Sequence, residues 1–205
     1  MLPSERELLY RLRSGDEAAF RSLVAGLHGR LLRLALGFLP RREIAEEVVQ
    51  ETWLAVVEGF SSFAGRSSLQ TWIFRVLVNR AKTRAVREAR VRSFSDLSLD
   101  EGEEDPGSHP ACFHPDGRWA LPPRDWGSQT PESVAIQREA LAQFEKAVAE
   151  LPLRQRLVVL LRDVEGLDSL EVCNMLGIRE THQRVLLHRA RTKLRKALEE
   201  YVERS

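Results

Sequence analysis

Apolar side chains recur at intervals of three and four through most of the N-terminal ninety residues, the period of a helix with one buried face. Ser4-Glu5-Arg6-Glu7 has the spacing of a capping box and predicts a short helix to about Arg13. Ser14-Gly15-Asp16 then interrupts and caps a longer one, in which Phe20, Leu23, Leu27, Leu31, Leu34 and Phe38 share a face and which Pro40 ends. A third helix, from about Arg42 to Glu58, places Ile44, Val48, Val49, Trp53, Val56 and Val57 inward, leaving Glu43, Glu46, Glu47, Gln50 and Glu51 outward. Gly59 to Gly65 reads as a loop carrying Phe60 and Phe63. Ser67-Ser68-Leu69-Gln70 is a second capping-box spacing, opening a helix with core face Leu69, Trp72, Ile73, Val76 and Leu77. Its opposite face is Thr71, Arg75, Asn79 and Lys82, followed by Arg84, Arg87, Arg90 and Arg92.

The pattern stops at Ser93. Pro106, Pro110, Pro115, Pro122, Pro123 and Pro131 fall before Val134, with four glycines among them, and helix cannot persist through that composition. The stretch reads as a linker of about 40 residues, longer than loops within compact domains usually are. It opens acidic, from Asp96 to Asp105, and becomes aromatic with Phe113, Trp119 and Trp126, large side chains that a mere tether does not need. Helical periodicity resumes from Val134 to Leu151 and again from Arg154 to Glu165. Asp168 to Leu176 then predicts a two-turn helix, Gly177-Ile178-Arg179 a tight turn, and Glu180 to Tyr201 a long helix with Leu187, Ala190, Leu194 and Leu198 on one face. No segment in either end alternates long enough to argue a strand. The expected fold is all-α: two small helical domains, 1–92 and 135–205, joined by the long irregular linker 93–134.

Charge sharpens this division. Lys plus Arg number 31 and Asp plus Glu 30, a formal net charge of +1, yet 1–92 carries +6, 93–134 carries −7 and 135–205 carries +2. No run is long enough to span a membrane, the N-terminus lacks a basic-then-apolar leader, and two cysteines make no disulfide framework, so the expectation is a cytoplasmic protein. His109, Cys112, His114 and Asp116 lie close together, but zinc sites usually join two separated ligand pairs, and neither a metal nor a cofactor is expected. There is no phosphate-cradling glycine loop and no nucleophile with a base and an orienting partner. Enzymatic chemistry is not expected.

A short helix, a glycine turn and a longer cationic helix form the helix-turn-helix pattern of DNA-binding proteins. Between Ile178 and Lys196 stand seven basic residues and one acidic one, which suits phosphate neutralisation with base contact. Arg184, Val185, His188, Arg189, Arg191 and Lys193 are expected to face outward. The competing reading is a helical hairpin whose basic face is merely solvated.

Two sets of motifs carry a resemblance. Glu46-Glu47-Val48-Val49-Gln50-Glu51-Thr52-Trp53, Phe63 to Arg75, and Asn79 stand in the N-terminal half. Leu151 to Arg156, Leu161 to Leu167, and Leu187-His188-Arg189-Ala190-Arg191 stand in the C-terminal part. In this order they resemble regions 2 and 4 of bacterial RNA polymerase sigma factors of the extracytoplasmic-function (ECF) type, over everything but the linker. The resemblance implies a subunit that joins core RNA polymerase, directs it to promoters and promotes their opening. It implies docking of Glu43, Glu47, Gln50 and Glu51 on the β-prime coiled coil, with a further polymerase contact at the β flap. The minus-ten element, duplex and then melted non-template strand, would be read by Phe63, Arg66, Ser67, Gln70, Thr71, Arg75, Asn79 and Lys82, with Asn79 the foremost base reader because its amide both donates and accepts. Trp72 matches the family too, but its apolar face makes it core.

The minus-thirty-five element would be read by Thr181, Arg184, Val185, His188 and Arg189. Thr181 to Leu186 departs from the family's usual Gly-Thr-Val-Lys-Ser-Arg. Gln183 stands where an apolar residue is common, and Val185 and Leu186 replace polar readers, implying a different upstream preference. In the family the linker threads the polymerase near the RNA path, where the acids at 96, 100, 101, 103, 104 and 105 would imitate nascent RNA. Family members are commonly held by an anti-sigma protein, and nothing in these residues identifies one. Two other functions fit parts of the chain: a stand-alone helix-turn-helix regulator, and a helical adaptor or anti-sigma-binding module without promoter function.

Overall fold

A computed structural model describes residues 5–92 and 142–202. The linker, its aromatic and His/Cys residues, Ser4 of the first capping box and the start of the helix expected from Val134 lie outside the described residues. Among those described there is helix and no strand, and no helix is long and apolar enough to cross a membrane. Two units are present, one formed by the described residues of Met1–Ser98 with Leu160–Gly177, the other by those of Leu99–Val159 and Ile178–Ser205.

In the first unit α1 (Glu5–Arg13), α2 (Glu17–Phe38), α3 (Arg42–Gly59) and α4 (Leu69–Arg92) follow one another closely. Asp16 accepts from the amides of Ala18 and Ala19 at 2.9 and 3.1 Å and so starts α2. These amide bonds, Ala19's the strongest, and the Arg11 guanidinium hold the Asp16 carboxyl below its usual range. Leu31, Leu34 and Ala35 of α2, Val48, Val49 and Val56 of α3, and Ile73, Phe74, Leu77 and Val78 of α4 are almost wholly enclosed. Each large apolar side chain so buried contributes about 1.5–3 kcal/mol, against 0–1 for an exposed ion pair. The packing of α4 on α2 and α3 therefore sets the frame.

The buried face of α4 is broader than expected, and turned. Because more than one helix covers it, the rows 69-73-77-81 and 74-78 are both buried, while Trp72 and Val76 are only half-buried. Val57, expected inside, is exposed at the end of α3, and Thr52 is enclosed with its hydroxyl donating to the Val48 carbonyl.

In the second unit residues 142–150 form α5, followed by α6 (Leu153–Val159), and α8 (Glu180–Val202) packs on α6. Arg156 donates to the Ala149 and Leu151 carbonyls at 2.6 and 2.9 Å, satisfying acceptors that the end of α5 leaves without helical partners. Burial there lowers the pKa of its guanidinium. Leu157, Val158, Leu187, Ala190 and Leu194 line the interior.

The helix expected to run to Glu165 changes pitch instead. Leu160–Val164 is a π segment, closed by Glu165 N–H donating to Leu160 C=O at 2.9 Å, and Gly166 ends it at φ +72°. Asp168 and Glu171 then form the two halves of a capping box for α7 (Ser169–Leu176). Gly177 closes α7 in the left-handed conformation, φ +70°. Cys173 is a buried residue of α7.

Candidate nucleic-acid interface

The loop between α3 and α4 is built on aromatic packing. Gly59 leads into a 3-10 turn, Phe60–Ser62, and a methyl group at Gly59 would stand 3.0 Å from the Trp72 ring, tight enough that the ring would have to draw back slightly. Phe60 and Phe63 pack on Trp72 with centroids 5.9 and 5.1 Å away. Arg13 of α1 donates to the Phe63 carbonyl at 2.8 Å, and Gly65 turns the chain at φ +66°. The first turn of α4 is capped by Ser68, not Ser67: Ser68 Oγ accepts from the Thr71 amide at 3.0 Å and shares a hydrogen bond with the Thr71 hydroxyl at 2.7 Å. Glu5 of α1 accepts from the Leu69 amide, a second N-terminal partner from 64 residues away.

This arrangement sorts the residues expected to read the minus-ten element. Phe63 and Thr71 belong to the interior, 5% and 1% exposed, where Phe63 packs on Trp72 and Thr71 completes the cap. Neither presents a surface to a ligand. Arg66, Arg75 and Asn79 are exposed, and Ser67 is half-buried at the loop's end. Arg75, Asn79, Thr83 and Arg87 follow one another at four-residue intervals, an exposed polar stripe down α4. Gln70 and Lys82 are half-buried and engaged within the same unit. Gln70 accepts from Arg30 at 3.1 Å and donates to the Glu165 carbonyl, and Lys82 donates to the Met175 carbonyl at 2.7 Å, where burial lowers its pKa. Arg30 itself pairs with Glu165 at 2.6 Å and lies over the Phe74 ring. Sequence spacing offers no signal for that pair, whose members are 135 positions apart.

Glu43, Glu47, Gln50 and Glu51 are all exposed on α3, on the outward side that the periodicity predicts. Two of them have a second role. Glu47 pairs with Arg84 at 2.8 Å and Glu51 with Arg80 at 3.3 Å, both arginines coming from α4. A polar cleft of about 410 Å³ lies between these helices, lined by Glu51, Asn79, Arg80, Thr83, Arg84 and Arg87 among others.

On α8, Thr181, Arg184 and Val185 are exposed and His188 and Arg189 half-buried, so the five expected readers are at least partly accessible. Arg184 pairs with Glu180 one turn back at 2.7 Å. Arg191, expected to face outward, is buried, and so is Leu186, which stands where the family carries a polar reader. Leu186 adjoins the Leu187 and Ala190 face, and one more turn brings Arg191 to the same side. Gln183 is 2% exposed on this inner face, a polar side chain at a core position.

Residues 23–91 match the family model for Sigma-70 region 2, and residues 141–194 match that for Sigma-70, region 4, together more than half of the chain. The chain belongs to the sigma-70 family, in its ECF group. This sigma factor is 27% identical over 195 residues to RNA polymerase sigma-H factor of Pseudomonas aeruginosa, covering 95% of the chain and 94% of that protein. To the ECF RNA polymerase sigma-E factor of Escherichia coli K12 it is 27% identical over 188 residues, 92% of one and 91% of the other. Two solved structures share its fold. They are the sigma factor RpoE in complex with the anti-sigma factor NepR from Bartonella quintana (TM-score 0.57, 20% identity, 88% of this chain and 96% of that one) and CnrH in complex with the cytosolic domain of CnrY (0.57, 21%, 97% and 99%). The region 2 match of this sigma factor begins inside α2. Helix α1, which braces the loop through Arg13 and caps α4 through Glu5, lies outside it.

Proposed function

We propose that this protein is an alternative sigma factor that works in the cytoplasm as a non-catalytic subunit, joining core RNA polymerase, selecting promoters and promoting their opening. The observation that carries the reading is the presence of regions 2 and 4 in one chain and in family order. A stand-alone regulator has no use for region 2, and an adaptor has none for the exposed Asn79 stripe. The division into 1–92, the linker 93–134 and 135–205 is the working assignment of function to sequence.

In this reading Glu43, Glu47, Gln50 and Glu51 of α3 meet the β-prime coiled coil of the polymerase, where charges of this kind guide encounter and register. Arg66, Ser67, Arg75 and Asn79 meet the minus-ten element. Opening a duplex costs unstacking energy, and groups that hold extruded bases and the freed backbone offset it. Gln70 and Lys82 join them once their internal carbonyl partners are exchanged. Phe63, Trp72 and Thr71 act at one remove by holding the loop. On α8, Thr181, Arg184, Val185, His188 and Arg189 meet the minus-thirty-five element, with region 4 also touching the β flap. Val185 supplies an apolar contact suited to a thymine methyl. Regulation by an anti-sigma protein belongs to the same reading, supported by the partner-bound state of both fold neighbours.

The test is run-off transcription by purified core polymerase on a library of random promoter templates, with and without the protein. Start sites that appear only on its addition, sharing two short motifs at a fixed spacing, are the expected result. Duplex binding without polymerase and with no gain in transcription would refute it in favour of a stand-alone regulator.

A further inference from the structure

The outer row of α3 and the polar cleft beside α4 share their charges. Glu43, Glu47 and Glu51 stand at four-residue intervals on α3, and the last two reach across to Arg84 and Arg80. Those arginines flank the exposed stripe Arg75, Asn79, Thr83 and Arg87 and line the same cleft. Three guanidiniums, Arg80, Arg84 and Arg87, therefore stand around a space large enough for a nucleotide, and two of the three are neutralised from α3. Arg84 has a further neighbour in Glu88, Nε to carboxylate 3.4 Å, which Arg41 also holds at 2.6 Å.

We infer that Glu47 and Glu51 are an electrostatic gate on a phosphate-binding cleft formed by Arg80, Arg84 and Arg87 below Asn79, and that a cationic partner docking on α3 opens it. The inference rests on the proposed function for the identity of that partner, the polymerase. Its physical basis is local. Arg80 and Arg84 are about one-third exposed and Glu47 and Glu51 about half exposed, so the pairs are accessible to competitors from both sides. Exposed pairs of this sort are weak, so an incoming cation can take the carboxylates at small cost. Each guanidinium so released can fork onto a phosphate. A strand binding at this cleft gains counterion release for every arginine it neutralises. Docking and strand capture thereby become coupled through two shared ion pairs, and by linkage each strengthens the other. The free protein is held back from stray nucleic acid by the same carboxylates.

The experiment uses the full chain without polymerase and a fluorescent single-stranded oligodeoxynucleotide of mixed sequence, with affinity read by anisotropy across a salt series. Glu47→Gln with Glu51→Gln is expected to raise affinity roughly three- to thirtyfold, the range set by two weak exposed pairs. The plot of log affinity against log salt should steepen by about 1.4, or about 0.7 for each freed arginine on a single strand. Adding Arg80→Gln and Arg84→Gln to that variant should erase both effects. Glu43→Gln removes an equal charge from the same row without a paired α4 arginine among the described residues, and should leave the slope unchanged. A gain that survives loss of the two arginines, or a Glu43→Gln slope change of half that in the double variant, would overturn the gate and leave only bulk charge. An unchanged affinity and slope in the double variant would overturn it as well. The outcome is separable from the proposed function. Wild-type protein that starts transcription with core while its double variant shows no change in strand binding removes the gate alone. Absence of transcription removes the polymerase as partner, and strand binding still decides the gate.

Discussion

Replacing Phe63 with alanine separates a residue that shapes the loop from one that stacks on bases. The ring is 5% exposed and packs on Trp72 at a centroid distance of 5.1 Å with planes tilted by 48°. Phe→Ala in a core costs about 3–5 kcal/mol, of which an aromatic pair supplies about 0.5–1.5. A loop can partly collapse into the space, so the lower end, about 3 kcal/mol, is expected. With a urea dependence of about 2 kcal/mol per molar, the unfolding midpoint of the unit falls by about 1.5 M. Phe63→Leu keeps most of the apolar volume and should lose less than about 1.5 kcal/mol. Urea unfolding followed by tryptophan fluorescence gives the stabilities, and anisotropy with a single-stranded oligodeoxynucleotide gives binding under native conditions. If Phe63 holds the loop, the leucine variant binds as wild type does while the alanine variant is destabilised. Should Phe63→Ala unfold at the wild-type midpoint while both variants lose strand binding, the ring stacks on bases, a contact worth about 1–3 kcal/mol per base, and its assignment to the interior is wrong.

Gly65→Ala forces a β-carbon onto a left-handed residue and should cost about 1–2 kcal/mol in urea unfolding, with the loop's open surroundings adding no clash. Asp168→Ala removes one half of the capping box of α7 and should lower stability by about 1 kcal/mol. Asp16 has a folded pKa below its ordinary 3.8, so the stability it contributes is complete above that value and lost as pH falls through the folded value. The gap between wild type and Asp16→Asn in thermal unfolding should be constant near neutrality and close only below about pH 3.8. Arg184→Ala and Val185→Ser should shift the upstream sequence preference in a binding selection, and an unchanged preference would show that these exposed side chains are not readers.

Helix order, breaks and most of the core were legible because periodicity and punctuation report burial directly. Asp16, Pro40 and Gly177 act where they stand in the chain. The residues misread were those whose surroundings come from elsewhere. Thr71 lies on the polar side of α4 by counting, and only the shift of the cap from Ser67 to Ser68 draws its hydroxyl inward. Phe74 and Val78 fall outside the single core face that periodicity predicts, and they are buried because α2, α3 and α7 all pack on α4. Glu47 and Glu51 were correctly placed outside, but nothing in their spacing shows that α4 arginines reach them. Arg191 reads as part of a basic surface by composition, and the width of the buried face of α8 decides otherwise. Of the candidate interface, the exposed Arg66, Arg75 and Asn79 were readable from sequence, and the partners of Gln70 and Lys82 were not.

The bracing of the α3–α4 loop by α1 bears on how such a segment could diversify. Its frame is fixed at Gly59, at the Phe63 carbonyl held by Arg13, and at the Leu69 amide held by Glu5. Between the last two anchors Ala64 and Arg66 are exposed and make no packing contribution to the core. Such a stretch behaves as an interchangeable insert in a rigid socket. Residues 64, 66 and 67 exchanged for those of a relative, with Gly65 kept for its left-handed turn, should leave the melting temperature almost unchanged, and new recognition could arise there by few substitutions without passing through an unfolded intermediate.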